Sequence, residues 1–278
     1  MTGHAVEASD IVCAYGDHVA LERSSFQIPA GAITALIGPN GSGKSTLLNA
    51  IAGLVEPVTG SLRVEAAGRG VARISYVLQG TKVNDALPVT AREVVAMGRY
   101  AGKGPLQRLN ADDRAAVDQA LDRMDIVDLA NRHLSELSGG QKQRVFVAQG
   151  LAQDHDVLLL DEPVTGLDLV SAQAIDDVIH DEHARGCTVV MTTHDLAEAR
   201  VADHVLLLSG RVVAWGPPSD VLTVDNLTTA YGTSVLQVDG ERLFLDDPHH
   251  NPVDARHSHE RTIHVETSST DAHPPHRH

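Results

Sequence analysis

The stretch GPNGSGKST at residues 38–46 decides the fold that this sequence predicts. It fits G-x-x-x-x-G-K-[ST], the pattern of a loop that binds phosphate groups. The apolar run AITALI at residues 32–37 precedes the loop and predicts a buried strand. Residues 44–54, KSTLLNAIAGL, predict a helix whose apolar face includes Leu54. Strand, glycine-rich turn and helix therefore follow one another as a phosphate-binding loop requires.

This order of elements places backbone N–H groups and the positive end of a helix around one anion. Glycines let the backbone take unusual dihedral angles and approach the phosphates closely. Lys44 is expected to reach the β- and γ-phosphates, and the Ser45 hydroxyl to bind Mg²⁺. A chance match is the alternative, but the flanking strand and helix favour nucleotide binding. The predicted nucleotide-binding residues of the loop are Gly38, Pro39, Asn40, Gly41, Ser42, Gly43, Lys44, Ser45 and Thr46.

Composition and charge narrow the classes of function. The length allows one large domain or two modest ones. A net charge of −15 argues against a general nucleic-acid-binding surface, so no nucleic-acid partner is expected. Cys13 and Cys187 are the only cysteines and read as reduced thiols of a cytosolic protein. The polar N-terminal residues do not predict a signal peptide, and no apolar run approaches the ~18 residues that cross a bilayer. Any action at a membrane is therefore expected to go through a partner.

Two carboxylates follow the apolar run of residues 157–160, which predicts a fully buried strand. Such a strand end is costly unless a cation lies there. With the phosphate-binding loop in the same chain, Asp161 is the expected Mg²⁺ partner. Glu162 is then placed to polarise the attacking water as a general base. An ordinary polar strand end is the weaker interpretation.

Three further polar or aromatic residues have an ordinary local interpretation that competes with a functional one. Gln79 follows the strand predicted over residues 73–78 and can reach a metal ion or water. His194 follows a strand predicted over residues 187–191 and can sense the γ-phosphate. Tyr15 lies in a glycine-bounded turn and can stack on a purine base. On local sequence alone, all three fit better as ordinary strand-end or turn residues.

A second glycine-rich segment, LSGGQ at residues 137–141, precedes a helix predicted over residues 142–152. Ser138, Gly139 and Gly140 at a helix N-terminus form a second candidate cradle for an anion. A loop with hinge glycines and a serine cap is an equally good local interpretation.

The segment from residue 81 to about residue 135 is predicted to be predominantly helical. Residues 90–93, TARE, form a capping box that opens a helix through Met97. Residues 112–125 are amphipathic, which predicts a second helix. From residue 246 to 278 the chain is polar and carries eight histidines, which predicts a disordered tail. Histidine-rich tracts can bind Zn²⁺ or similar ions, but plain disorder is the favoured interpretation.

Taken together, the motifs resemble those of the nucleotide-binding subunit of ATP-binding cassette (ABC) transporters, from residue 8 to about 240. LSGGQ is the most specific motif of that family. The resemblance identifies Tyr15 with the base-stacking A-loop, residues 38–46 with Walker A, Gln79 with the Q-loop, Ser138, Gly139, Gly140 and Gln141 with the signature, Asp161 and Glu162 with Walker B and its catalytic glutamate, Asp168 with the D-loop, and His194 with the switch histidine.

The resemblance implies an α/β fold: a P-loop NTPase (RecA-like) core with an N-terminal antiparallel β subdomain and an inserted α-helical subdomain at about residues 81–137. The ATPase domain would span residues 1–245, and the histidine-rich tail residues 246–278. ATP and Mg²⁺ are the implied cofactors. Catalysis would fall to Lys44, Glu162 and His194, and Mg²⁺ binding to Ser45, Gln79 and Asp161.

The resemblance also implies partners. Two copies would form a head-to-tail homodimer, with each ATP between one copy's Walker A and the other's signature. ATP binding and hydrolysis would drive an integral membrane permease, supplied indirectly by an extracytoplasmic solute-binding protein. The permease's cytoplasmic loop is expected to dock in a cleft at the helical segment near Gln79. The chain would lie at the cytoplasmic face of a bacterial membrane.

The segment at residues 81–100 looks like that of bacterial zinc or manganese importers, although iron-siderophore and cobalamin importers are similar. Residues 226–232, NLTTAYG, look like the C-terminal end of that broader group. An exporter ATPase and a soluble ABC protein acting on DNA or ribosomes are weaker alternatives. Two positions depart from the family pattern: Leu78 replaces the usual proline before Gln79, and Gln149 stands where arginine is common.

Overall fold

A six-stranded sheet forms the centre of the computed structural model, which describes residues 3–66, 70–78, 88–100, 108–232, 236–239 and 242–245. The strands are β1 (His4–Tyr15), β2 (His18–Pro29), β3 (Ile33–Ile37), β4 (Thr59–Ala66), β5 (Gly70–Val71), β6 (Ile74–Val77), β7 (Val157–Leu160), β8 (Thr188–Thr192), β9 (His204–Leu208), β10 (Val212–Gly216), β11 (Leu236–Asp239) and β12 (Arg242–Leu245). The helices are α1 (Lys44–Ile51), α2 (Ala91–Met97), α3 (Ala111–Arg123), α4 (Gly139–Leu151), α5 (Leu169–Ala184), α6 (Leu196–Val201), α7 (Pro218–Val221) and α8 (Val224–Tyr231). Two short 3₁₀ helices span Val127–Leu129 and Leu134–Glu136.

The central sheet has the order β10-β9-β3-β8-β7-β6. All neighbouring strands from β9 to β6 are parallel, and β10 is antiparallel to β9. Every residue of β3, β7, β8 and β9 is buried, as expected of parallel strands covered on both faces. The carboxyl ends of β3, β7 and β8 therefore meet at one edge, which is where ligands bind in parallel α/β sheets.

A second sheet, β2-β1-β4-β5, is wholly antiparallel and confirms the predicted N-terminal β subdomain. Helix α1 packs between this sheet and the central one through buried Leu47, Leu48 and Ile51. The prediction for Leu54 was wrong: α1 ends at Ile51, and Leu54 is 67% exposed. Gly53 takes a left-handed φ of 72°, a conformation that ends helices, so the chain turns before Leu54 can reach the core.

The helical segment begins as predicted. Thr90 caps α2, and its side chain exchanges hydrogen bonds with Glu93 in a capping box. Helix α3 buries its apolar residues Val117 and Leu121. Residues 79–87 and 101–107 lie outside the described residues, so the proposed limits of the inserted subdomain stay a prediction. Residues 246–278 also lie outside the described residues, so the histidine-rich tail stays a prediction.

Strands β11 and β12 form a separate antiparallel pair. Among the described residues, no helix combines the length and the apolar character that crossing a membrane requires.

Candidate nucleotide site

The phosphate-binding loop joins β3, at the middle of the central sheet, to α1. Gly38 has φ 152°, and a Cβ atom there would lie 2.2 Å from the carbonyl oxygen of Leu208. Gly43 has φ 98°, and its Cβ atom would lie 2.9 Å from the carbonyl oxygen of Ala20. Both positions need glycine because the loop is packed against neighbouring backbone.

Lys44 lies inside this loop. Its ammonium group donates hydrogen bonds to the carbonyl oxygens of Gly38, at 2.7 Å, and Pro39, at 3.1 Å. Burial lowers the pKa of Lys44, and the negative charges of Glu162 and Asp161 act in the opposite direction. The loop lysine therefore lies close enough to the two carboxylates that follow β7 to be influenced by their charge.

The side chain of Thr192, at the end of β8, connects the two carboxylate residues. Its hydroxyl accepts a 2.7 Å hydrogen bond from the backbone N–H of Glu162 and donates one of 2.7 Å to Asp161 Oδ1. Glu162 itself has a left-handed φ of 48°, which is strained for a residue with a side chain. Sequence reasoning missed Thr192. The available signal was a hydroxyl residue at the end of a buried strand.

His194 orients the Glu162 side chain. Its Nε2 lies 2.6 Å from Glu162 Oε1, and the nitrogen is the donor because an ionised carboxylate can only accept. The structure thus places His194 in contact with the carboxylate that is predicted to act as the general base.

Tyr15 ends β1, directly before the turn at Gly16. Its hydroxyl accepts a 3.3 Å hydrogen bond from Asn49 Nδ2 in α1, and the residue is 49% exposed. An exposed ring beside the loop helix fits the predicted contact with a base. Ser45 is exposed in the first turn of α1, whereas Gln79 lies outside the described residues.

The signature residues form a second group. Ser138 caps α4: its hydroxyl accepts a hydrogen bond from the N–H of Gln141, whose side chain accepts one from the Ser138 N–H. Asp168 caps α5 and binds the N–H and hydroxyl of Ser171. These hydrogen bonds lower the pKa of Asp168. A Cβ atom on Gly140 would lie 2.5 Å from Asp168 Oδ2 and Ser171 Oγ, so the two helix N-termini are in direct contact.

A glycine-rich loop with a buried lysine, a strand-end carboxylate pair and a histidine hydrogen-bonded to one of them is the arrangement of a P-loop nucleoside triphosphatase. The sequence model of the family described as "ABC transporter" matches residues 21–165. The chain belongs to this family and is an ATP-hydrolysing enzyme.

Two relatives extend the match to most of the chain. A manganese transport system ATP-binding protein of Synechocystis is 38% identical over 219 residues, which cover 77% of this chain and 84% of the relative. A zinc transport system ATP-binding protein of Treponema pallidum is 39% identical over 251 residues, which cover 89% and 94%. A solved dimeric ATP-binding cassette, in a post-hydrolysis state with ADP and phosphate, is 27% identical with a TM-score of 0.67. That match covers 77% of this chain and 98% of the solved chain.

Proposed function

We propose that this chain is the ATP-hydrolysing subunit of a bacterial importer of a divalent metal ion, with zinc or manganese as the cargo. The observation that supports the cargo is the similarity, over more than three quarters of the chain, to relatives named for manganese and zinc transport. The sequence pattern of residues 81–100 also supports membership of the zinc and manganese importers.

Within each subunit we assign Lys44 to the β- and γ-phosphates, Glu162 to the attacking water, and His194 to the orientation of the Glu162 carboxylate. Ser45, Asp161 and Gln79 offer hydroxyl, carboxylate and amide oxygens, the hard donors that suit Mg²⁺. The hydrogen bond from Thr192 holds Asp161 Oδ1 in place. When bound, Mg²⁺ supplies positive charge to the phosphate groups.

The active unit in this proposal is a head-to-tail homodimer. Ser138 and Gly139 are exposed, whereas Gly140 is buried against Asp168 and Ser171. The signature therefore offers a helix N-terminus to an anion supplied from outside the subunit. The dimeric arrangement of the solved relative supports this interpretation.

The permease is proposed to dock beside β6, which leads towards Gln79. A cavity of about 330 Å³ opens there, lined in part by Leu78, Phe146 and Gln149. Docking at this cleft would hold the subunit at the cytoplasmic face of the membrane, and an extracytoplasmic solute-binding protein would deliver the ion from the other side.

Elemental analysis of cells tests the cargo. The gene is deleted in its host and restored as wild type or as Glu162→Gln, and zinc, manganese and iron are measured in chelator-treated medium. We expect zinc or manganese to fall in the deletion strain and to recover only with the wild-type gene. Unchanged zinc and manganese would overturn the proposal, and a fall in iron alone would favour an iron-chelate importer.

A further inference from the structure

Three residues with metal-binding side chains meet at the amino edge of the central sheet, opposite the nucleotide loop. His155 precedes β7, Cys187 directly precedes β8, and Glu182 lies in the last turn of α5. One ligand atom from each lies within 4.8 Å of the others. We propose that His155, Glu182 and Cys187 form a binding site for Zn²⁺.

The orientation of His155 suits a metal ligand as well as a partner in an ion pair with Glu182. Its Nδ1 lies 2.8 Å from the carbonyl oxygen of Gln153, and a carbonyl can only accept, so Nδ1 carries a hydrogen. Its Nε2 faces Glu182 Oε2 at 3.1 Å. A neutral imidazole of this tautomer and a carboxylate would present two lone pairs to each other, so a proton sits on Nε2 until a cation displaces it. Burial lowers the pKa of His155, but hydrogen bonds with Cys187 and Glu182 outweigh it and raise the pKa to about 10. A ring N–H bonded to a backbone carbonyl is the usual support of a metal-bound histidine.

The other carboxylate oxygen of Glu182, Oε1, is held by two arginine side chains. Arg123 donates to Oε1 at 2.6 Å and Arg185 at 3.3 Å, which leaves Oε2 directed at His155. The side chains of His155 and Glu182 are each 6% exposed. A buried carboxylate oriented in this way loses little conformational freedom when a cation binds.

The sulfur ligand of Cys187 favours Zn²⁺ over Mg²⁺ and Mn²⁺. The residue is 7% exposed, and its thiol donates weak hydrogen bonds to the carbonyl oxygens of Asp156 and Thr188. On binding, the Cys187 thiol and Nε2 of His155 each release a proton to solvent, and the thiolate and the neutral imidazole become ligands. A set of one nitrogen, one oxygen and one sulfur suits Zn²⁺, whereas Mg²⁺ and Mn²⁺ favour oxygen ligands.

The site has a route to solvent. A cavity of about 380 Å³ is lined by all three ligands, and Arg73 and Gly186 also border it. Water from this cavity can complete a tetrahedral set with three protein ligands. Bound Zn²⁺ would join the end of α5 to the starts of β7 and β8, far along the chain from the phosphate-binding loop.

A spectroscopic experiment on the full-length, reduced protein uses Co²⁺ as the probe. A cobalt–thiolate bond gives a near-ultraviolet charge-transfer band that histidine ligands cannot give, so the eight histidines of residues 246–278 do not interfere. We expect the band in wild type and in Cys13→Ala, its loss in Cys187→Ala, and its disappearance when Zn²⁺ displaces Co²⁺. His155→Gln should weaken Co²⁺ binding at this site by about tenfold or more. Circular dichroism checks that each variant is folded.

A band that is absent from wild type at saturating Co²⁺, or that persists in Cys187→Ala, would overturn the proposal and leave a buried His155–Glu182 ion pair. A second measurement needs no variant. Zn²⁺ should slow the alkylation of Cys187 in the wild-type protein, as read by peptide mass analysis. An alkylation rate that Zn²⁺ leaves unchanged would also overturn the proposal.

Discussion

At the scale of single residues, the hydroxyl of Thr192 organises the carboxylates of the nucleotide site. It accepts from the Glu162 N–H and donates to Asp161, each at 2.7 Å. Hydrogen bonds to charged groups contribute about 1.5–3 kcal/mol to stability. The first of these bonds also supports the left-handed backbone of Glu162, which is strained by itself.

Replacing Thr192 by valine keeps the shape of the side chain and removes both hydrogen bonds. We expect ATP hydrolysis to fall roughly tenfold to a hundredfold, because a displaced carboxylate loses its alignment with the reacting groups. Steady-state ATPase assays check this. Thr34→Val is the matched control, since the Thr34 hydroxyl is buried and makes no hydrogen bond within the described part of the chain. The control should keep full activity, and equal loss in both variants would contradict the role of Thr192.

Glu162→Gln tests the general base. The amide cannot take a proton from water, so turnover should fall by about 10²- to 10⁴-fold while ATP still binds. Nucleotide-binding and ATPase assays separate the two effects. The exposed Glu56→Gln serves as a control and should behave as wild type. Unchanged turnover in Glu162→Gln would contradict the assignment.

At the scale of elements, the contact between the N-termini of α4 and α5 positions the signature. Gly140 lies so close to Asp168 and Ser171 that a Cβ atom at this position would displace their side chains. The neighbouring Gly139 has no atom within 4 Å of the Cβ position. The two adjacent glycines therefore have different structural roles, although they are equivalent in the sequence motif.

Substituting each glycine by alanine distinguishes these roles. Gly140→Ala should lower the free energy of unfolding by about 1–3 kcal/mol, because the methyl group overpacks the contact with the α5 cap. Gly139→Ala should leave stability unchanged or raise it slightly, since alanine favours helix. Urea denaturation measures both. Equal stability of the two variants would show that the α4–α5 contact is not tight.

At the scale of the whole molecule, the proposed catalytic cycle needs two copies. The phosphate-binding loop lies near the carboxylates that follow β7, whereas the signature residues Ser138 and Gly139 are exposed in a separate group. Each copy would therefore supply its phosphate-binding loop to one ATP site and its signature to the other. ATP would then favour the closed dimer because it binds the closed dimer more tightly than the open one.

Trapping tests this dimer. With MgATP, Glu162→Gln should elute as a dimer in size-exclusion chromatography with light scattering, because ATP binds but is not consumed. Adding Ser138→Glu should abolish the dimer, since a carboxylate would face the phosphate groups. A monomer in the single variant, or a dimer in the double one, would contradict the proposed geometry.

Removing residues 246–278 tests the domain limits. We expect ATPase activity to change by less than about twofold, because a polar, histidine-rich segment cannot contribute a packed core. Zn²⁺ titration should show fewer bound ions in the truncated protein. Loss of activity would place part of the enzyme beyond residue 245.

Local sequence pattern was enough to predict the fold class and to propose most residues of the candidate site. Uninterrupted apolar runs predicted the buried strands, and the polar residues that follow β3, β7 and β8 could be placed at one edge because parallel strands end together. Leu54 was misplaced, since the turn at Gly53 ends α1 earlier than its apolar pattern suggests.

By itself, the sequence determined the phosphate-binding loop motif, the α/β class and the residues proposed to surround the nucleotide, because each depends on spacing along a short stretch of chain. Only the tertiary structure decided three contacts: Thr192 with Asp161 and Glu162, Gly140 with Asp168, and His155 with Glu182 and Cys187. Each contact joins residues roughly thirty apart in the chain, because the pairing of β7 with β8 and the packing of α4 on α5 bring them together. No local pattern specifies such pairs, since strand order and helix packing are properties of the folded chain.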